Sequence, residues 1–251
     1  MNAISNFDLT KLAAPLSVEQ IDFRVQSINK GGYATILAYK DARVDMQRLD
    51  DVVGPLYWKR EHNTQNRNCV VSIFNPVTGE WISKEDTGTE SFAESEKGLA
   101  SDSFKRACFN WGIGRELYEY PRISIKLNEN EFKVDGQKVR QTYELNLHDW
   151  RWFTEFDGPK IRMLIAKDAS NKVRFEWRDV ESVRAEANTI LELINQEADL
   201  TEVGEAFNEL ETWKQHLLWT AVTKGGFFNT EQKELIRKAE HLYLNPEEEA
   251  A

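Results

Sequence analysis

Lys97, Ser101 and Lys105 recur at four-residue steps, with Arg106 beside the last of them. In a helix that spacing puts the three on one face. Ala100, Phe104, Ala107 or Cys108, and Trp111 recur at three- and four-residue steps on another face and make an apolar stripe. A basic stripe on a helix anchored to a core by its other face is a place to hold a phosphate backbone. Most Lys and Arg on amphipathic helices are only solvated, so spacing alone leaves both readings open.

Other chemistries find little support. No Gly-x-x-x-x-Gly-Lys-Ser/Thr run occurs, which argues against an ATP-driven activity. Gly112-Ile113-Gly114 is too short for a dinucleotide fingerprint. His62, His148, His216 and His241 are scattered without metal-ligand spacing, and no Ser–His–Asp order can be read. Cys69 and Cys108 both sit in apolar surroundings and read as buried, reduced thiols. A metal-dependent nuclease assembled from Asp50, Asp51, Glu80 or Asp102 is conceivable, but helix caps and solvated faces explain those acids better. The expectation is a non-enzymatic protein with no cofactor or metal.

The elements that must position the stripe follow from pattern. Residues 1–20 read as a lead-in helix or arm, with Ser17 able to cap a short turn. Ile21 to Tyr39 alternates around Gly31-Gly32 and reads as strand, turn, strand. Asp41 caps a helix over 41–53 whose Ala42, Met46, Leu49 and Val53 share a face, and Gly54-Pro55 ends it. Trp58 to His62, Cys69 to Phe74 and Glu80 to Ser83 read as strands, the last two joined by a turn at 75–79. The basic helix starts near Ala93 and stops at Gly112 and Gly114. Short strands are expected over 122–127, 142–147, 150–156, 160–167 and 172–177. From Val180 to about Tyr243 the chain reads as helical, broken at Gly225-Gly226, with Thr230 capping the last helix and an acidic tail over Pro246–Glu249. Tryptophans 58, 81 and 111 could stack on bases, but core is the better reading, above all for Trp111.

The 251 residues suffice for a substantial core. The first residues lack the basic start and apolar run of a secretory signal, and no long apolar segment occurs, so a cytoplasmic protein is expected. The formal charge is −10. Residues 1–180 carry 26 Lys and Arg against 27 Asp and Glu, whereas residues 181–251 carry 6 against 15. The acidity is therefore C-terminal, and the near-neutral first part is free to gather cations along one groove. This divides the chain into a binding and oligomerisation domain, 1–180, and an acidic helical region, 181–251.

The run Ser101-Asp102-Ser103-Phe104-Lys105-Arg106-Ala107, followed by aromatics and a Gly-containing exit, resembles the signature helix of the Rad fifty-two superfamily of single-strand annealing proteins. The closest likeness is to its phage and bacterial branch, the Sak-type recombinases. Residues 37–58, from Leu37 through Arg43 to Gly54 and Trp58, resemble the same family's N-terminal helix. The likeness covers roughly residues 10–125. It implies an α+β fold, a β-β-β-α core with an antiparallel sheet on a long helix, followed by a β-rich extension and a helical C-terminal part. It further implies ATP-independent annealing of single-stranded DNA in a groove of a homo-oligomeric ring or helical filament, phage-encoded and acting in the host bacterial cytoplasm. Arg43 and Lys105 match positions lining the family's inner groove, Lys97 and Arg106 lie on or beside the same helix, and Lys59 and Arg60 would rim the groove. The acidic region is expected to keep off DNA and to serve partner recruitment or control of assembly, with a host single-strand-binding protein or a phage exonuclease as partner. Its stripe of Val203, Phe207, Leu210 and Leu217 needs a surface to bury it, either the chain's own core or another protein. The rival readings are end protection without annealing, and a non-DNA adaptor acting through the acidic helical third.

Overall fold

The computed structural model describes residues 7–63, 65–89, 95–220 and 226–245, with side chains for all of these except 95–97 and 220. The protein is α+β. Its chain divides into two compact units, one formed by residues 1–151, 158–160 and 167–174, the other by residues 152–157, 161–166 and 175–251.

The first unit opens with short 3-10 turns at Leu9–Ala13 and Val18–Gln20, the second held by a Ser17–Gln20 capping box. Leu12 and Leu16 are buried there. Strands β1 (Asp22–Ile28) and β2 (Tyr33–Tyr39) form the expected antiparallel hairpin. Alternation sets its two faces: β2 buries Ala34 and Ile36 and leaves Tyr33, Thr35, Leu37 and Tyr39 on the other side. Gly32 sits in the turn at φ 74°, and a Cβ there would lie 2.7 Å from the Phe132 ring. Helix α1 (Ala42–Val53) starts at Asp41, whose carboxylate accepts from the Arg43 N–H, and stops at Gly54.

Strands β3 (Trp58–Asn63), β4 (Asn68–Asn75) and β5 (Glu80–Thr87) form a three-stranded antiparallel sheet in chain order, and helix α2 (Ser95–Asn110) packs on β4 and β5. The sequence β-β-β-α is thus realised in consecutive elements. Phe104, Ala107 and Cys108 of α2 are fully buried against Cys69, Val71 and Ile73 of β4, with Leu49 and Val53 of α1 closing the cluster. Burial of Phe104 alone contributes about 1.5–3 kcal/mol. The helix ends in two left-handed glycines: Gly112 donates to Phe109 and Ile113 to Cys108, closing the last turn.

Gly114, the second of these, has φ 73°, and a Cβ there would fall 2.6 Å from Cε of the buried Lys40. Gly114→Ala is expected to destabilise by at least about 1–2 kcal/mol from the left-handed backbone, and further because Lys40 cannot swing clear. Thermal unfolding of the variant checks this; an unchanged midpoint would mean that the chain relaxes around the methyl.

Strand β6 (Ile123–Lys126) pairs antiparallel with β2, so the first sheet runs β1-β2-β6. The strand expected over 142–147 is absent: Asn146 accepts from the His148 N–H and starts a 3-10 turn at Leu147–Asp149. In its place a hairpin forms earlier, β7 (Phe132–Asp135) with β8 (Lys138–Gln141), turning at Gly136-Gln137 with Gly136 at φ 60°. A glycine at the first central position of a two-residue loop, between segments carrying Val134 and Val139, is a hairpin signal absent from the expected strands.

Strands β9 (Arg151–Asp157), β10 (Lys160–Lys167) and β11 (Val173–Arg178) form a sheet in the order β11-β10-β9, most of whose residues belong to the second unit. Among the described residues the rest of that unit is a 3-10 turn at Val180–Val183 and four helices, α3 (Arg184–Asn195), α4 (Leu200–Asn208), α5 (Thr212–Thr220) and α6 (Thr230–Leu244). Asn229, not Thr230, caps α6, accepting from Gln232. The stripe Val203, Phe207 and Leu217 packs with Trp213, Ile190 and Ile236 in this unit's own core, so it is not an open surface for a partner. The acidic segment 246–249 and Gly225 lie outside the described residues.

Candidate nucleic-acid interface

Lys105 is half-buried on α2 at the edge of a cleft of about 300 Å3. Arg24 of β1, Tyr39 of β2, Phe109 of α2 and Tyr118 line the same cleft. Phe109 and Tyr118 meet edge to face at 5.1 Å, and Tyr118 is 66% exposed. Neither Lys105 nor Arg24 forms an ion pair with a carboxylate among the described residues. The one acid that lines it among the described residues, Asp102, is engaged by the Thr89 N–H at 2.8 Å. The cleft therefore offers uncommitted positive charge beside exposed aromatic edges.

Arg43 reaches the same neighbourhood. Its side chain is 85% exposed and its Nε lies 2.8 Å from Asp41 Oδ1. The Asp41 carboxylate is held below its usual range by the Arg43 side chain and N–H, and Lys105 pulls it further down. Arg43 is thus paired with Asp41, whereas Lys105 acts on that carboxylate only from beyond ion-pair distance, and an incoming phosphate would compete with Asp41 for Arg43.

The floor of the cleft holds a pair that the sequence did not reveal. Lys40 and Asp45 are buried at 1% and 0% exposure and ion-paired to each other, with the Lys40 ammonium 4.5 Å over the Phe109 ring. Burial pushes the Lys40 pKa down, against the pull of Asp45. Asp45 sits on the helix face read as Ala42, Met46, Leu49 and Val53, and only the tertiary partner explains a charge there.

The remaining basic residues lie elsewhere in the first unit. Arg106 turns from Lys105 toward β5, where it pairs with Asp86 at 3.2 Å. Lys59 and Arg60 point to opposite faces of β3, as successive strand residues must. Arg60 covers the Phe104 ring at 4.8 Å on the α2 side. Lys59 lies over Trp81 at 5.1 Å on the open side and pairs with Glu61. The side chain of Lys97 lies outside the described residues.

The tryptophans divide. Trp111 packs on the core and donates to the Val71 carbonyl, and Trp58 is half-buried, stacked on Phe104 and bonded to Asp50. Trp81, read as core, is instead 43% exposed, because it faces away from α2. The acids weighed for a metal site are dispersed: Asp51 accepts from Gln47, and no three His, Cys, Asp or Glu side chains converge among the described residues. No helix among the described residues is long and apolar enough to cross a membrane. A larger cleft of about 380 Å3 is lined, among the described residues, by apolar side chains such as Leu9, Ile82 and Trp111, with Asn75 and no charged residue, so it offers a phosphate no counter-charge.

No family model and no solved structure matches the chain. Two curated proteins are similar to it over about half its length. One is the single-stranded DNA-binding protein DdrA of Deinococcus radiodurans, 31% identical over 115 residues, 45% of this chain and 55% of that protein. The other is the single-stranded DNA-binding protein DdrA of Deinococcus deserti, 31% identical over 122 residues, 47% of this chain and 60% of that protein. The chain thus spans a little over half the length of the curated relatives it matches.

Proposed function

We propose that this chain binds single-stranded DNA through the Lys105 cleft and anneals complementary strands without ATP, as a homo-oligomeric ring or helical filament of the Rad fifty-two type. The observation that carries the reading is Lys105 without an ion-paired carboxylate among the described residues, set among Arg24, Tyr39 and Tyr118 in an open cleft. The names of the two similar proteins support the ligand. An annealing protein should hold phosphates and leave base edges free, so that pairing between strands supplies the driving force and no covalent step is needed. Assembly would cover the open edges of the sheets, which otherwise template unwanted pairing. The acidic helical region repels phosphate and is assigned to partners, such as a host single-strand-binding protein or an exonuclease.

Arg43→Ala and Lys105→Ala are expected to weaken binding to labelled oligonucleotides with little change in thermal stability. Each should reduce the slope of log affinity against log salt by about 0.7 if it neutralises one phosphate. Unchanged affinity in both across salt would remove the cleft from the interface. A strand-annealing assay with complementary oligonucleotides separates annealing from end protection. Light scattering reporting a monomer with and without DNA would refute the oligomer.

A further inference from the structure

The face of the β1-β2-β6 sheet that continues from the Lys105 cleft has unusual chemistry for a solvated face. Tyr33, Thr35, Leu37 and Tyr39 stand in a row along β2. Tyr39 lines the cleft, and Tyr33, at the far end, is 49% exposed. Six strand steps separate the two rings, about 20 Å at the usual rise. Each ring carries a cation. The Arg24 guanidinium lies 5.2 Å from the Tyr39 centroid, and the Lys126 ammonium lies 4.9 Å from that of Tyr33.

Register fixes this arrangement. Arg24 is opposite Leu37, Ser124 opposite Thr35, and Lys126 opposite Tyr33. Lys126 is also tethered to the Gly31 carbonyl, which holds its charge over the ring. Arg122, exposed just ahead of β6, adds a third cation. None of Arg24, Arg122 and Lys126 is ion-paired to a carboxylate among the described residues. Asp22, opposite Tyr39, and Asp41 are acids beside this row, both acting on the Tyr39 hydroxyl at its cleft end. The open face of the β3-β4-β5 sheet makes a useful contrast. It also places a lysine over an aromatic ring, but Lys59 is neutralised by Glu61, and Glu85 shares the face.

We propose that single-stranded DNA leaves the Lys105 cleft and runs along β2, with bases stacked on Tyr39 and Tyr33 and phosphates held by Arg24, Arg122 and Lys126. Charge complementarity and π-faces at intervals are what a flexible single strand requires, and neither asks for a particular sequence. The path rests on the reading that the cleft itself holds single-stranded DNA.

The test uses the full chain and an oligothymidylate long enough to cover several sites of the size that single-strand-binding folds occupy. Tyr33→Ala should lower affinity about tenfold, the loss of one stacked base, while Tyr33→Phe should bind as the unaltered chain does. Lys126→Gln and Arg122→Gln should each reduce the salt slope by about 0.7. Thermal unfolding verifies that all four variants stay folded. Oligonucleotides carrying 5-iododeoxyuridine should photocrosslink to Tyr33 and Tyr39. Full affinity in Tyr33→Ala and Lys126→Gln, with no crosslink at Tyr33, overturns the path. If Lys105→Ala is weakened in that same experiment, the cleft survives as the binding site. Failure of the unaltered chain to bind single strands at all overturns both.

Discussion

Asp45→Ala is expected to destabilise the fold by about 3–5 kcal/mol, because it strands the Lys40 ammonium in the interior. Both groups are excluded from solvent, at 0% and 1% exposure, so neither can recruit water when its partner goes. The pair itself is not expected to be a net source of stability, since bringing two charges out of water costs about what their attraction returns. Lys40→Met combined with Asp45→Leu should therefore lie within about 1–2 kcal/mol of the unaltered chain, on either side. Urea unfolding of Lys40→Met, Asp45→Leu and the double gives the cycle, with Asp45→Ala measured beside it. A cost below about 1 kcal/mol for Asp45→Ala, the range of an exposed pair, would mean that water reaches Lys40.

The same pair sets a pH dependence whose sign is unusual for a carboxylate. Burial pushes the Asp45 carboxyl up to about 6, against the opposing pull of Lys40, from an ordinary value of 3.8. Between those values the folded chain keeps a proton that the unfolded chain has released. The folded state then binds more protons, so stability falls as pH rises through this window and levels off above it. Asp45→Asn should abolish that fall. A slope that persists in Asp45→Asn would assign it to other groups.

How much of this was legible in the sequence depends on the range of the interaction involved. The α2 stripe was legible because Phe104, Ala107 and Cys108 repeat with the helix and have no other use. The β1-β2 hairpin and its turn were equally legible, since alternation and Gly31-Gly32 are local signals. What failed was long-range. Lys40 and Asp45 look like surface charges until the segment after α2 folds back and puts Gly114 against the lysine. Lys105 and Arg106 are neighbours in sequence, yet the helical turn sends one to the cleft and the other to Asp86, and only the packing of α2 on β5 decides which. Arg24 and Tyr118 reach the cleft from elements separated by most of the first unit, so no spacing rule could have joined them to Lys105.

Arg174→Ala is expected to be as damaging as the loss of Asp45, for a reason that also bears on binding. Its guanidinium makes two parallel bonds to Glu131, at 2.9 and 2.7 Å, reaches Asp168 at 3.3 Å, and lies 4.7 Å over the Trp150 ring. The two side chains of the central pair are only 5% and 7% exposed, so removing one partner should cost about 3–5 kcal/mol. Arg174→Lys should recover less than half, because an ammonium can neither fork to both oxygens nor stack flat on the indole. The pH signature is opposite to that of Asp45. Burial pushes the Glu131 carboxyl up, but Arg174 and the Asn128 N–H together outweigh it and leave it lowered. Its contribution is therefore present above the ordinary carboxylate range and lost only as pH falls below it. Arg174 also donates to the Lys126 carbonyl at 3.5 Å, and Phe132, next to Glu131, packs its ring on Gly32. The cluster thus braces the end of β2 and β6 at which Tyr33 and Lys126 sit. If that brace positions the platform, Arg174→Ala should lower both the unfolding midpoint and the affinity for single strands at temperatures where the fold persists, whereas Arg43→Ala should lower affinity alone. An Arg174→Ala chain that melts early yet binds with full affinity while folded would show that the brace serves stability only.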